Sequence, residues 1–319
     1  MPKEASSATE SAAIALMKQR LSGFETEEGR RIGLSYQPGP RDIVITTTPK
    51  AGTTWTQQIC HQLRTRGDMD FVEISEVVPW LELAHDQGQN LSDPQWGDSD
   101  KHLRFFKSHA WAGHCPEFPK TIVVLRDPCD VLVSFWRFFE GWFFEPGTIS
   151  LEAFAEEFWL ARGVPENEMQ NASYFVHLIS WYQKRGDTSK ILLTTFEDLK
   201  EDLAGEVKRI AQFVSSDQMR YDSPERIQTA VEKSSYAFMK DNAGQFDEKL
   251  SKLKRNEACG LPPNAGMQQS KIRQGSSKTK ALSAEMRQKV QEKWMEVVHP
   301  VTGCCTYEEL RQKLRSERR

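Results

Sequence analysis

The sequence predicts an α/β fold of three layers, with a mostly parallel central sheet flanked by helices. Two observations carry this expectation. First, "RDIVITTT" (41–48), "KTIVVLR" (120–126) and "KILLTTFEDL" (190–199) are the apolar, β-branched runs that a parallel strand buried on both faces requires. Second, each run leads into a stretch with helical patterning. Strands that alternate with helices close into a parallel sheet covered on both faces.

The elements follow in chain order. Residues 1–25 read as a partly mobile N-terminal tail in which "AAIALMKQRL" makes a short helix. "GTTWTQQICHQLRTRG" reads as a helix closed by Gly67. "LRFFKSHA" is a further extended segment. "DPCDVLVSFWRFFEGW" supplies its own helix start, with Asp127 as N-cap, Pro128 in the first turn and Asp130 where an acid is favoured. "LEAFAEEFWLARG" and "SYFVHLISWYQKRGD" read as helices, and "EDLAGEVKRIAQFV" as an amphipathic one. No repeat or linker divides residues 26–319, so a single domain is expected. Residues 240–280 hold few large apolar groups and many Lys, Arg, Ser, Gly and Asn, including Lys271, Arg273 and Lys278. They read as a basic structureless loop, either a lid over an anion or a solvated surface segment.

Composition narrows the function classes. The chain has 319 residues with 42 basic and 45 acidic side chains, a balance that points away from nucleic acid as main partner. No apolar run approaches membrane-spanning length, and the first forty residues lack a signal-peptide core while carrying several glutamates. The six cysteines form no C-x-x-C pair, and reduced thiols in a cytoplasmic protein are expected. A zinc site from His109, His114 and Cys115 lacks a second ligand pair, so no metal is expected.

Three segments can carry chemistry. In "TTTPKAGTTW" (46–55) a strand, a turn at Gly52 and a helix from Thr53 aim backbone N–H groups at one point, where an anion is the natural ligand. Thr53 and Thr54 add hydroxyls and Lys50 a full charge. Lys50 precedes the glycine, however, whereas the lysine of a nucleotide-triphosphate loop follows it. In "KSH" (107–109), an extended backbone puts Lys107 and His109 on one side, and the lysine favours the neutral imidazole that a general base needs. In "VVLRDPCDVLVSF", Arg126 ends a buried strand and Ser134 lies on the next helix, a fork and a hydroxyl suited to phosphate. The alternative for Arg126 is an ion pair with Asp127 or Asp130. Two separated phosphate grips and a base describe a group-transfer enzyme acting on a doubly anionic nucleotide.

These segments resemble those of the cytosolic-type sulfotransferases, a family with a P-loop-like fold. "TTPKAGTTW" resembles that family's PKSGTTW loop, with Ala51 in place of serine. "LRDPCDVLVSFWRFF" is similar to its second signature, "FKSHAW" to its K-x-H segment, "EPGTISLEAF" to its EPGT stretch and "FEDLKEDL" to its YEDLKE, with Phe196 in place of tyrosine. "IRQGSS" is similar to the late R-K-G element, with Gln274 in place of lysine. The resemblance runs in order from about residue 40 to residue 300.

The resemblance implies in-line transfer of a sulfuryl group from 3′-phosphoadenosine 5′-phosphosulfate (PAPS) to a hydroxyl or amine of a small molecule, with no metal. It implies that Lys50, Gly52, Thr53 and Thr54 hold the 5′-phosphosulfate and that Trp55 stacks on adenine. Arg126 and Ser134 would grip the 3′-phosphate, helped by Arg273 and Gly275, with Ser234 and Tyr236 as further nucleotide contacts. His109 would be the general base, and Lys50 and Lys107 would stabilise charge on the reacting oxygens. The resemblance implies a phenol or alcohol, such as an aromatic alcohol, as acceptor. Alternate positions of the aromatic run "FWRFFEGWFF" (135–144) read as core, and the remainder, with Trp80 and Trp111, as the lining of an apolar acceptor pocket near His109. Glu140, Glu145, Glu82 and Asp86 would suit instead a cationic guanidinium or amine. The competing classes are a P-loop kinase or NTPase and a non-catalytic nucleotide-binding protein. A monomer or homodimer is expected.

Overall fold

Four parallel strands form the central sheet in the order β2-β1-β3-β4 among the described residues of the computed structural model, which are 7–93, 103–266, 271–272 and 282–318. They are β1 (Asp42–Thr47), β2 (Arg104–Ser108), β3 (Lys120–Leu125) and β4 (Ile191–Thr195). The register brings their carboxyl ends level: Thr46 lies opposite both Ser108 and Val123, and Leu125 opposite Thr195. Every residue of β1 is buried. Along β3 the side chains alternate, with Val123 and Leu125 in one apolar cluster and Ile122 and Val124 in the other. The sheet is thus covered on both faces, as its continuous apolar runs require.

The helices are α1 (Ser7–Ser22) and α2 (Glu27–Leu34) before β1, α3 (Thr53–Thr65) after it, and α4 (Pro128–Phe139) after β3. Next come α5 (Leu151–Phe154), α6 (Tyr174–Lys184), α7 (Phe196–Glu201), α8 (Leu203–Val214) and α9 (Pro224–Lys233). The chain ends through α10 (Tyr236–Asp241), α11 (Lys249–Arg255), α12 (Ala284–Val297), α13 (His299–Thr302) and α14 (Tyr307–Ser316). The expected cap of α4 is present, with Asp127 accepting from the N–H groups of Cys129 and Asp130. In α1, Ile14 and Met17 are fully buried in the cluster that covers Val123 and Leu125.

Three expectations need correcting. "FEDL" is not the end of β4 but the start of α7, because the Thr195 hydroxyl accepts from the Asp198 N–H and caps a helix there. "LEAFAEEFWLARG" is helical, yet α5 runs directly into a π-helical turn, Ala155–Trp159. The segment 240–280 is not structureless: it contains the end of α10 and the whole of α11. Within it Phe246, Cys259 and Leu261 are buried by tertiary contact, while Leu253 stays exposed.

α14 is tied to α7 by charge. Asp198 of α7, almost fully buried, accepts from Arg311 Nε at 2.8 Å and Arg315 Nε at 2.7 Å, and also from Arg318. Burial alone would raise its pKa, but hydrogen bonds from Arg311 and Arg315 hold it below the ordinary aspartate value. Removing one partner of a buried ion network leaves the rest unpaired. We expect Asp198→Ala to lower unfolding stability by about 3 kcal/mol in urea denaturation. A change within experimental error would show that α14 does not depend on this carboxylate.

Candidate active site

The loop between β1 and α3 owes its shape to two residues with left-handed backbone. Lys50 has φ 75° and Gly52 φ 114°. A Cβ at Gly52 would lie 3.1 Å from the Phe196 ring, so both the conformation and the space favour glycine. The turn starts α3 at Thr53, whose hydroxyl lies 2.6 Å from that of Thr47. Lys50 Nζ stands 4.0 Å from the centre of the Phe138 ring. Burial, followed by the charge of Lys271, pushes the Lys50 ammonium well below the ordinary lysine pKa.

β2 delivers Lys107 and His109 to the same cavity, one on the strand and one just beyond it. Lys107 Nζ sits 3.7 Å above the Trp80 ring and 3.7 Å from Glu248 Oε1. Glu82 accepts from the His109 N–H at 2.7 Å and from the Ser108 hydroxyl at 2.9 Å, which fixes the backbone behind the imidazole. His109 Nδ1 lies 2.8 Å from the Thr47 carbonyl. A carbonyl can only accept, so Nδ1 carries the proton and Nε2 the lone pair. Burial, then the Lys107 charge, hold the imidazole pKa well below 6.5.

At the end of β3, Arg126 donates from Nη1 to the Lys50 carbonyl at 3.0 Å and pairs through Nη2 with Asp130 at 3.4 Å. Its guanidinium lies 4.2 Å from the Phe196 ring centre, and its buried Nε has no hydrogen-bond partner. Tyr174 donates to the Arg126 carbonyl at 2.6 Å and anchors the strand end. The ion pair with Asp130 foreseen as an alternative therefore coexists with a place in the cavity. Ser134, one turn further along α4, lines the same cavity.

That cavity has a volume of about 1290 Å³. It brings together Lys50, Gly52, Thr53, Thr54, Trp55, Lys107, His109, Arg126, Ser134 and Tyr236 from the sequence expectation. Ser234 is not in its wall: it is fully buried at the end of α9, where its carbonyl accepts from Trp55 Nε1 at 2.8 Å. Arg273 and Gly275 lie outside the described residues. Trp80 is in the wall, and Trp111 is not. Glu82, Asp86, Glu140 and Glu145 are likewise absent from it. Asp86 instead accepts from Thr26 at the start of α2. No cluster of three or more potential metal ligands occurs among the described residues.

The sequence reading missed the carboxylates that do line the cavity, Glu25, Glu166 and Glu248. Glu25 was assigned to the tail, and nothing in "FDEKL" marks Glu248. α1 also contributes Lys18 and Leu21 to the wall, and the turn after it Phe24, alongside Phe135, Phe139, Phe143 and Phe158.

Comparison with known proteins agrees with this geometry. A family described as the sulfotransferase domain matches residues 40–316. Human sulfotransferase 1E1 is 28% identical over 218 residues, covering 65% of this chain and 69% of its own. Human sulfotransferase 2A1 is 27% identical, covering 69% and 74%. Among solved structures, mouse sulfotransferase SULT7A1 complexed with PAP superposes with a TM-score of 0.60 at 16% identity, over 92% of this chain and 94% of its own. Retinol dehydratase with androsterone and PAP gives 0.61 at 19% identity, over 88% and 85%. With the β1–α3 loop, the K-x-H segment and Arg126 gathered around one cavity, the chain belongs to the sulfotransferase domain family and is a PAPS-dependent sulfotransferase.

Proposed function

We propose that this cavity holds PAPS by two separate grips and presents the hydroxyl of an aromatic alcohol or phenol to His109. The observation that carries this reading is the meeting of Lys50, Lys107, Arg126 and a neutral His109 in one cavity. The volume exceeds what one drug-sized ligand needs, as a nucleotide together with an acceptor requires.

Lys50, Gly52, Thr53 and Thr54 would hold the 5′-phosphosulfate at the amino end of α3. Arg126 and Ser134 would hold the 3′-phosphate, an assignment supported by the unpartnered Nε of Arg126. Trp55 and Tyr236 would border the adenine, and Arg273 and Gly275 would close over the nucleotide. PAPS supplies the sulfuryl group. His109 Nε2 would take the acceptor's proton, while Lys50 and Lys107 would offset charge on the oxygens around sulfur. Ser234 would act through Trp55, whose indole N–H its carbonyl receives.

The ring-rich wall of Phe24, Trp80, Phe135, Phe138, Phe139 and Phe143 supports a flat apolar acceptor. A cationic amine or guanidine is the second class, and the carboxylates first suggested for it lie elsewhere. We read residues 26–319 as one domain of a cytoplasmic enzyme, which six free thiols support.

Incubation with PAPS labelled in its sulfuryl group, against phenols, alcohols, amines and guanidines, tests the assignment. Label should pass to a phenol or alcohol. His109→Ala should slow transfer about a thousandfold while retaining its fold and PAPS affinity. Binding of PAPS without transfer to any acceptor would instead support a non-catalytic protein. Because Lys107 helps keep His109 neutral, the acid limb of the rate should lie below pH 6.5 in the wild type. In Lys107→Met it should move to higher pH, and a limb that stays put removes the proposed coupling. Replacing the Arg126 fork by a point charge in Arg126→Lys should weaken PAPS binding about tenfold or more by calorimetry. Unchanged affinity would assign Arg126 to the Asp130 pair alone.

A further inference from the structure

A buried carboxylate inside a site for a polyanion is an electrostatic contradiction that the nucleotide grips do not explain. Glu248 is 5% exposed and lines the cavity. Among the described residues it is also one of three non-glycine residues with left-handed backbone, φ 59°, at the residue that opens α11. Oε2 accepts from the Ser251 hydroxyl at 3.0 Å, and that hydroxyl receives the Gln87 amide at 2.8 Å. Oε1 is left facing Lys107 Nζ at 3.7 Å and Lys271 Nζ. A strained backbone and two neutral hydrogen-bonding groups thus hold one carboxylate oxygen against the catalytic lysine.

We propose that Glu248 is a positioning residue for Lys107: its carboxylate holds that ammonium charged and in place until the phosphosulfate arrives. The surroundings of Lys107 explain the need. Lys50 approaches from the β1–α3 loop and Lys271 from the segment beyond α11, both adding like charge, and His109 beside it is neutral. Glu82 is engaged with His109 and Ser108. Glu73, on the segment before Trp80, is pushed up to about 7 by burial, with Glu248 adding to the effect, and forms no ion pair with Lys107. Among the described residues, Glu248 alone stands within ion-pair distance of Lys107. Burial lowers the Lys107 pKa and Glu248 is the largest influence that raises it. The Trp80 face assists as a weak, uncharged partner.

The expected behaviour follows from linkage. Without Glu248, the folded-state pKa of Lys107 falls, so in alkaline solution the free protein carries a neutral lysine. Binding of anionic PAPS then restores the charge and takes up a proton from solvent. This rests on PAPS being the ligand, and the two ideas fail separately: a wild-type protein that does not bind PAPS removes the ligand, whereas the comparison below removes only Glu248.

Calorimetry of PAPS binding to the full chain at pH 9, without acceptor, in two buffers of different ionisation enthalpy, counts the protons. Glu248→Gln should take up about half a proton or more beyond the wild type. In a Lys107→Arg background, where the side chain stays charged, Glu248→Gln should add nothing. Equal uptake by Glu248→Gln and wild type overturns the proposal, as does extra uptake that persists with Arg at 107. Melting curves at pH 7 check folding. If Glu248→Gln does not fold, Glu248→Asp, whose shorter carboxylate draws back from Lys107, should show the same excess at smaller size, and no excess overturns the proposal.

Discussion

Positive charge confined in a recess of low dielectric is the constraint on which this molecule is arranged. Lys50, Lys107 and Arg126 reach the cavity from the carboxyl ends of three adjacent parallel strands, and Lys271 joins them from the far side. Like charges gathered away from water repel strongly, so each cation needs something to rest on. Rings supply much of this. Lys107 lies over Trp80, Lys50 and Lys271 approach Phe138, and Arg126 stacks on Phe196. Aromatic faces stabilise a cation without competing as a full anion would. Carboxylates enter singly, Asp130 at Arg126 and Glu248 between two lysines.

The sheet makes this concentration possible. Parallel strands put all their carboxyl ends on one edge, and the register here levels Thr46 with Ser108 and Val123. Short loops from that edge therefore converge without long excursions. The close fit of Gly52 against Phe196 belongs to the same logic. The residue that replaces the family's tyrosine lacks a hydroxyl, but it touches the loop glycine, the Trp55 ring and the Arg126 guanidinium. It thereby packs the β1–α3 loop against the end of β3.

The cavity wall away from the sheet is built differently, from helices and their connections that bury rings against one another. Phe24, which follows α1, packs against Trp80, Trp142 and Phe143, so the amino-terminal helices complete a wall begun by α4. Beyond it, Arg30 is almost wholly buried and engages Glu25 and the side chain of Asn171. The end of the cavity away from the sheet is thereby fixed by contacts between residues more than a hundred positions apart.

What the sequence determined by itself is the chemistry carried by local pattern. The β-branched runs of β1 and β3, the glycine turn before α3, the K-x-H spacing and the Asp127 cap each depend on neighbours within a few residues, and each was legible there. The helical start at Phe196 was misread because a β-branched run continues to Thr195, and only the side-chain cap decides where the strand stops. Glu248, the wall from α1 and α2, and the burial of Ser234 were invisible for a different reason. Their roles come from contacts between distant segments, and no local periodicity records which carboxylate is brought within 3.7 Å of Lys107. Ionisation was decided at that level as well. A histidine, a lysine and a glutamate have ordinary pKa values as residues in a chain, and only their burial together sets which of them bears a proton.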